Sequence, residues 1–589
     1  MSFKNQRRGD TSCDSNRRLH VLRFGFLIFA ALIVWRLFTL QVVNSAYYAA
    51  LAEGQYSFYK DLYPERGTVY ASDLKDGQRH PVATNISLGF VVADPRNVKD
   101  VYETANILAT IFGLTDEELL TLEDRLAKAD DQWEPVRREV PEEQLAQIDA
   151  AQKDGKLKGI SYTRWPSRTY PETGFGGQIL GFVGTNDDGS ASGKYGIESY
   201  FDEELAGTAG YLQSERDDSG RLVPVGDQSF QAAVDGADIV LTIDRNIQYT
   251  ACKMLRQAVL RHGADSGSLV ILEPSTGAVL AMCGAPDFDP NIYGEVVDAN
   301  VFNNPAIFNA YEPGSVFKPI TMAAAIDAGA VTPSTTFEDF GFVDDVGCET
   351  PIRNSEDKVY GTQTMTQVLE QSINTGVIFV MEAMGREVFA NYVNNFGFGA
   401  YSGIELDKEV PGNVSSLKQT SDCYAATASF GQGITVTPLQ LAAAYVPLAN
   451  GGRLMQPFVV QEIDYADGRV EKTEPIEVRQ VVSDKTANLL SAILISVVEN
   501  GHGKKAQVPG YYIAGKTGTA QVAGPGGSYS PDDTIGSFAG YGPVGDPRFV
   551  MVTRIDHPRD VQYAESTAAP LFGEIAEFLL RYFEVPPQR

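Results

Sequence analysis

A largely apolar run from Phe24 to Val43 (FGFLIFAALIVWRLFTLQVV), behind a basic leader, limits what the rest of the chain can become. Its length suits one helical crossing of a bilayer. Arg36 and Gln41 fall in its outer half, where a long arginine stem can snorkel to the headgroups. Residues 1–23 carry Lys4, Arg7, Arg8, Arg17, Arg18 and Arg23 against Asp10 and Asp14, a net +4 in a chain of net charge −28, so the remainder holds −32. The positive flank predicts a cytoplasmic N-terminus and an exported remainder. A cleaved signal peptide and a buried helix are the rival readings. The run is long for a signal core, and no Ala-x-Ala site directly abuts it.

The 589 residues exceed one typical domain. The acidic balance argues against nucleic acid as a partner, which requires a basic footprint. Five cysteines do not make a disulfide framework. Cys13 would face a reducing compartment, whereas Cys252, Cys283, Cys348 and Cys423 would be exported, where bridges are permitted. Cys283 sits in the apolar run Ala278–Ala285 and Cys252 in a helical pattern, so both are expected to be buried free thiols. Cys348 and Cys423 stay undecided. The five histidines (20, 80, 262, 502, 557) have neither zinc-site nor Ser-His-Asp spacing, and each is expected to be structural or solvated.

Residues 44–235 read as mixed α and β. Gly89–Asp94 is predicted as a strand, Thr115 and Glu118 as a capping box, Pro141–Gln152 as a helix, and the Gly/Asp-rich stretch Gly181–Gly210 as loop. From Gly236 onward, Asp238–Ile243 reads as a strand and Asp244 as the cap of a helix to about His262. Ser268–Leu272 and Ala278–Cys283 form a hairpin signal. Helical patterns fill Ser315 to about Tyr445; strands return around Lys516, at Ser537–Tyr541 and Phe549–Ile555, before a final amphipathic helix at Ala568–Tyr582. Strands on both sides of a helical insert predict an α+β domain with a sheet built from distant segments.

Three short signatures carry the chemistry: Ser315-Val-Phe-Lys318, Ser372-Ile-Asn374 and Lys516-Thr517-Gly518. Ser-x-x-Lys occurs four times, also at Ser72, Ser355 and Ser415. Only Ser315 follows a turn (Glu312-Pro-Gly) and opens a long apolar helical run, and Pro319 fits a helix start there. At i and i+3, Ser315 and Lys318 share a helix face. Free N–H groups at the helix start can serve an oxyanion. Burial and the positive helix end both favour a neutral Lys318, able to act as a base. The set could thus perform serine acyl transfer without histidine or metal.

The order of these motifs is that of serine β-lactamases and penicillin-binding proteins. Tyr311–Lys318, Ser429–Pro438, Ala514–Gln521, Arg66-Gly-Thr-Val-Tyr70, Gly181–Gly184, Gly196-Ile-Glu198 and Pro274–Gly277 extend the likeness almost from the anchor to the C-terminus. The chain resembles class B penicillin-binding proteins. The Glu-Pro-Gly-Ser context and Asn374 favour the division type (FtsI-like, or its sporulation relative) over the elongation type, which commonly carries Asp in the second motif.

That resemblance implies a layout: a cytoplasmic segment (1–23), a transmembrane helix (24–43), a non-catalytic pedestal of dimerisation type (44–235) and a β-lactamase-like α+β transpeptidase domain (236–589). It implies that Ser315 attacks the D-Ala-D-Ala carbonyl of a stem peptide and Lys318 takes its proton. Ser372 relays a proton to the leaving amine, and Asn374 positions Lys318 and the donor amide. Lys516, Thr517, Gly518 and Thr519 bind the terminal carboxylate, with the backbone N–H groups of Ser315 and Thr519 as oxyanion hole. No metal or cofactor is implied. The implied partners are peptidoglycan stem peptides, β-lactams, a SEDS-type glycan polymerase and other division proteins. A hydrolytic relative (D,D-carboxypeptidase, β-lactamase or β-lactam sensor) and a non-catalytic division scaffold remain alternatives. A sensor should carry a cytoplasmic signalling region, and only about 23 residues precede the span.

Overall fold

The computed structural model describes residues 13–45, 57–187, 190–215, 229–523 and 529–589. The basic leader up to residue 12 therefore lies outside the described residues. Two units are present, residues 1–64 with 208–234, and residues 65–207 with 235–589. The first holds the helix Cys13–Phe38, continued by a π-helical turn to Val43, and a three-stranded antiparallel sheet of Ser57–Leu62, Gly210–Glu215 and Ser229–Gln231. His20–Val43, 24 residues, is long and apolar enough to cross a membrane, the one such helix among the described residues.

In the second unit, Arg79–Ala93 pairs with Val69–Ser72 along one half and with Glu134–Val140 and Ile160–Thr169 along the other. This makes the strand far longer than the predicted Gly89–Asp94. Thr115 and Glu118 form the expected capping box, and Pro141 precedes the helix Glu142–Lys153. The loop expected over Gly181–Gly210 is instead a hairpin (Phe182–Thr185 with Ala191–Lys194) followed by the short helices Gly196–Tyr200 and Asp202–Ala206. Its glycines mark close backbone approach: a Cβ on Gly193 would stand 1.6 Å from the carbonyl oxygen of Glu198.

Glu198 gives the Arg66-Gly-Thr pattern a physical reason. Its buried carboxylate meets Arg66 Nε at 2.7 Å and Arg168 Nε at 2.6 Å, and Arg66 also reaches Asp202 at 2.8 Å. Thr68 N donates to Asp238 Oδ1 at 2.6 Å. The strand Asp238–Asp244 then runs parallel to Val69–Ser72 on one side and antiparallel to Val460–Asp464 on the other. One seven-stranded sheet thereby continues across Gly236.

A separate sheet has five antiparallel strands, β1 (Ser266–Leu272), β2 (Val279–Ala285), β3 (Ala514–Ala523), β4 (Tyr529–Gly542) and β5 (Phe549–Asp556), in the order β2-β1-β5-β4-β3. Helices α1 (Arg245–Arg261), capped by Asp244 as expected, and α5 (Ala568–Tyr582) cover one face. The helical insert, with α2 (Lys318–Asp327), α3 (Asn374–Met384) and α4 (Asp484–Asn500), covers the other. Strand alternation feeds both cores: Leu269 and Ile271 enter the α1/α5 side, Val270 and Leu272 the insert side. Burial on both faces is why β1 reads as a continuous apolar run.

The free-thiol expectation for Cys252 and Cys283 is overturned. The structure pairs Cys252 with Cys283 (Cα–Cα 5.9 Å) and Cys348 with Cys423 (5.0 Å). Cys252 on α1 and Cys283 on β2 point into the same core, which the packing of α1 across the sheet brings about and local pattern does not reveal.

Candidate active site

Ser315 sits in a 3-10 turn, Gly314–Phe317, that runs directly into α2 with Pro319 in the first turn. The helix start expected at Ser315 is therefore present in a tightened form. The turn and the start of α2 are gripped by the Ser429–Pro438 segment and by Tyr445. Gly314 N donates to Gly431 O at 3.0 Å, Thr321 Oγ1 donates to Ser429 O at 2.7 Å, and Tyr445 Oη donates to Val316 O at 2.6 Å. A Cβ on Gly431 would lie 2.3 Å from Gly314 O, so only glycine permits that approach.

Lys318 is fully buried beneath the turn. Its Nζ lies 2.6 Å from Ser372 O, 3.2 Å from Ser372 Oγ and 2.8 Å from Asn374 Oδ1. Burial, joined by the nearby Lys516 charge, holds the Lys318 amine well below its ordinary value. Ser372 occupies the turn between the helix Met365–Glu370 and α3, at φ 57°. This left-handed backbone, uncommon for a non-glycine residue, lets one residue present both its carbonyl and its hydroxyl to the lysine.

Lys516, Thr517, Gly518 and Thr519 lie on β3, the sheet's edge strand. An edge strand leaves part of its N–H groups outside the ladder, as an oxyanion donor requires. Period-two alternation places Lys516 and Gly518 on one face and Thr517 and Thr519 on the other. Gly518 packs on the Ser315 turn, where an added Cβ would meet Val316 N at 2.8 Å. Lys516 is fully buried, donating to Thr517 O at 3.2 Å, and burial pushes it down to about 7 against the opposing charge of Glu565. Thr519 Oγ1 accepts from Ala564 N at 3.0 Å. Ser315, Ser372, Thr517 and Thr519 line one cleft of about 230 Å³.

Several contributors escaped the sequence reading. Asn354 accepts from Asn374 N at 3.0 Å and Thr375 N at 3.2 Å, and donates to the buried carboxylate of Asp339, which also accepts from Thr375 Oγ1 at 2.6 Å. This pair fixes the start of α3 and hence Asn374. Its only trace in sequence is proximity to the discarded Ser355–Lys358 match. His502, expected to be structural or solvated, also lines the cleft, with Glu356, Tyr563 and Glu565.

Residues 267–577 match the family described as penicillin binding protein transpeptidase domain, and residues 61–241 that described as penicillin-binding protein dimerisation domain. Stage V sporulation protein D of Bacillus subtilis is 33% identical over 578 residues, covering 97% of this chain and 86% of its own length. Peptidoglycan D,D-transpeptidase FtsI of Escherichia coli is 30% identical over 526 residues, covering 87% and 84%. The crystal structure of penicillin binding protein 3 from Mycobacterium tuberculosis, complexed with aztreonam, superposes with a TM-score of 0.67 at 26% identity, covering 90% of this chain and 98% of that one.

Proposed function

This chain belongs to the penicillin-binding protein transpeptidase family, and from that premise we propose that it cross-links peptidoglycan by serine acyl transfer from a D-Ala-D-Ala donor. The observation that carries the reading is the Lys318 amine, fully buried and caged by Ser372 and Asn374 beneath the Ser315 turn. An amine kept neutral by burial can take the Ser315 proton as the hydroxyl attacks the donor carbonyl. Ser372, whose Oγ touches Lys318, passes a proton to the departing D-Ala amine. Asn374 holds the lysine and offers its amide to the donor peptide. Lys516, Thr517, Gly518 and Thr519 receive the terminal carboxylate, and N–H groups of Ser315 and Thr519 stabilise the oxyanion, each donor worth roughly 3 kcal/mol in such sites. The acyl-enzyme then passes to an amine of a second stem. β-Lactams, which mimic the donor, would be trapped at Ser315.

The apolar helix fits a single-pass membrane anchor. The basic leader supports a cytoplasmic N-terminus with the catalytic domain outside. The family likeness further suggests work at the septum beside a SEDS-type polymerase, with residues 44–235 as the interacting pedestal and 236–589 as the catalytic domain. Mass spectrometry of penicillin-labelled protein tests the chemistry. The adduct is expected on Ser315 and persists for many minutes; an adduct on another serine, or rapid turnover, would refute the transpeptidase assignment.

A further inference from the structure

The cleft contains ionisable groups that acylation leaves without a task. His502 Nδ1 stands 3.2 Å from Glu565 Oε2. The histidine comes from the turn after α4 and the glutamate from the turn Ala564–Ser566 before α5, so two separate elements deliver the pair to the same cavity as Ser315, Ser372 and Thr517. Their side chains are 43% and 44% exposed, so the pair faces the cleft rather than a core. In the same cleft, Glu356 accepts from Tyr563 Oη at 3.0 Å and meets Lys358 Nζ at 2.7 Å. Ser315 also lines a second cavity of about 460 Å³, with Asn374, Gln432, Thr519 and Gln521. Glu356 and Tyr563 border both cavities, so the nucleophile opens onto two arms.

The two arms have different work in the reaction set out above. A donor carboxylate held at Lys516–Thr517 places the departing D-Ala in the arm that contains His502. The acceptor amine rebuilds the bond that the leaving amine broke, so it enters along the same line. Near neutral pH it arrives as an ammonium ion and has no lone pair until a proton is removed.

We propose that the arm lined by Thr517, Ser372 and His502 is the acceptor subsite, that Glu565 and Glu356 attract the ammonium group of a second stem peptide, and that His502 removes its proton. The proposal rests on the acyl-transfer reading. With Nδ1–H donated to Glu565, Nε2 keeps its lone pair for the amine. One ammonium proton passes to Nε2. The freed nitrogen lone pair forms the C–N bond as the ester C–O bond to Ser315 breaks. A second proton from the nitrogen passes through Ser372 to the Ser315 oxygen, and the imidazolium returns its proton to water. Glu565 is the positioning residue. The charged and titratable groups that line the cleft with His502 are Glu565, Glu356, Lys358, Tyr360 and Tyr563, with Lys516 behind Glu565.

The test uses the full chain in detergent, an acyl-D-alanyl thioester as donor and D-alanine as amine acceptor. The ratio of aminolysis to hydrolysis is measured from pH 6 to 9; this ratio is independent of the folded fraction and of the acylation rate. His502→Gln is expected to lower the ratio at pH 7 at least about tenfold, the low end of general-base contributions. Its ratio should then climb steeply with pH, following deprotonation of the free amine, while the wild type stays flatter. Glu565→Gln should fall between, and the combined change should lose at least as much as His502→Gln alone. An unchanged ratio and pH profile in His502→Gln, the result expected of a merely structural pair, overturns the proposal alone. A wild type that acylates off Ser315, or that only hydrolyses, overturns the underlying acyl-transfer reading and this inference with it.

Discussion

Two lysines without a carboxylate partner in hydrogen-bond contact are buried within one site, and each bears a cost that only function explains. Lys516 is held down to about 7 by burial, far below the ordinary lysine value of 10.5. The unfolded chain therefore binds more protons than the fold between about pH 7 and 10.5, and stability attributable to this residue rises across that window. Below pH 7 both states are protonated and the cost is constant and largest. Lys516→Met is thus expected to raise the melting temperature at pH 7 by at least about 2 °C, with the gain shrinking toward pH 10, while acylation by penicillin collapses. Scanning calorimetry at pH 6, 7.5 and 9.5 checks it; a lower melting temperature at every pH would contradict the assignment of Lys516 as a destabilising functional group. Of the residues around it, the three motifs were legible because their spacing and order are rare. Asn354, Asp339, His502 and Glu565 were not, because they act through contacts that no local period encodes.

Single elements show how glycine and charge shape the fold. The Ser429–Pro438 segment works through backbone contacts to the Ser315 turn; the glycines at 431 and 518 are required by close approach, and Gly314 by its positive φ of 59°. Glu198 ties Arg66 to Arg168 in a buried cluster. Glu198→Gln would leave two guanidinium groups short of their counter-charge, so a loss of about 3–5 kcal/mol is expected in denaturant unfolding; a loss below about 1 kcal/mol would show the cluster to be dispensable. The two disulfides give a prediction of count. Alkylation of the unreduced, denatured chain should label one thiol, Cys13, and reduction should raise this to the five cysteines of the sequence. Labelling of Cys252 or Cys283 before reduction would restore the free-thiol reading of the apolar pattern.

For the whole molecule, the seven-stranded sheet that passes through Gly236 has a consequence for dissection. The strand Asp238–Asp244 needs Val69–Ser72 on one side, and Asp244 also accepts from Leu74 N and from Tyr582 Oη, each at 2.8 Å. Residues 236–589 expressed alone would expose that strand as an unpaired edge, and a mostly aggregated product is expected. Residues 57–589 should be soluble and bind penicillin; equal solubility of the two fragments by size-exclusion chromatography would show the shared sheet to be unnecessary. The amino-acid sequence by itself determined the apolar N-terminal helix, the helix caps at Thr115 and Asp244, the β1–β2 hairpin, the final helix and the three short motifs, because each is written in a local period, a cap or a rare triplet. Tertiary structure alone decided the pairing of cysteines, the helical content of Gly181–Gly210, the sheet that joins the N-terminal strands to the catalytic half, and the entry of His502 into the cleft. Those depend on which distant faces meet, and packing between segments tens to hundreds of residues apart leaves no periodic trace in either segment.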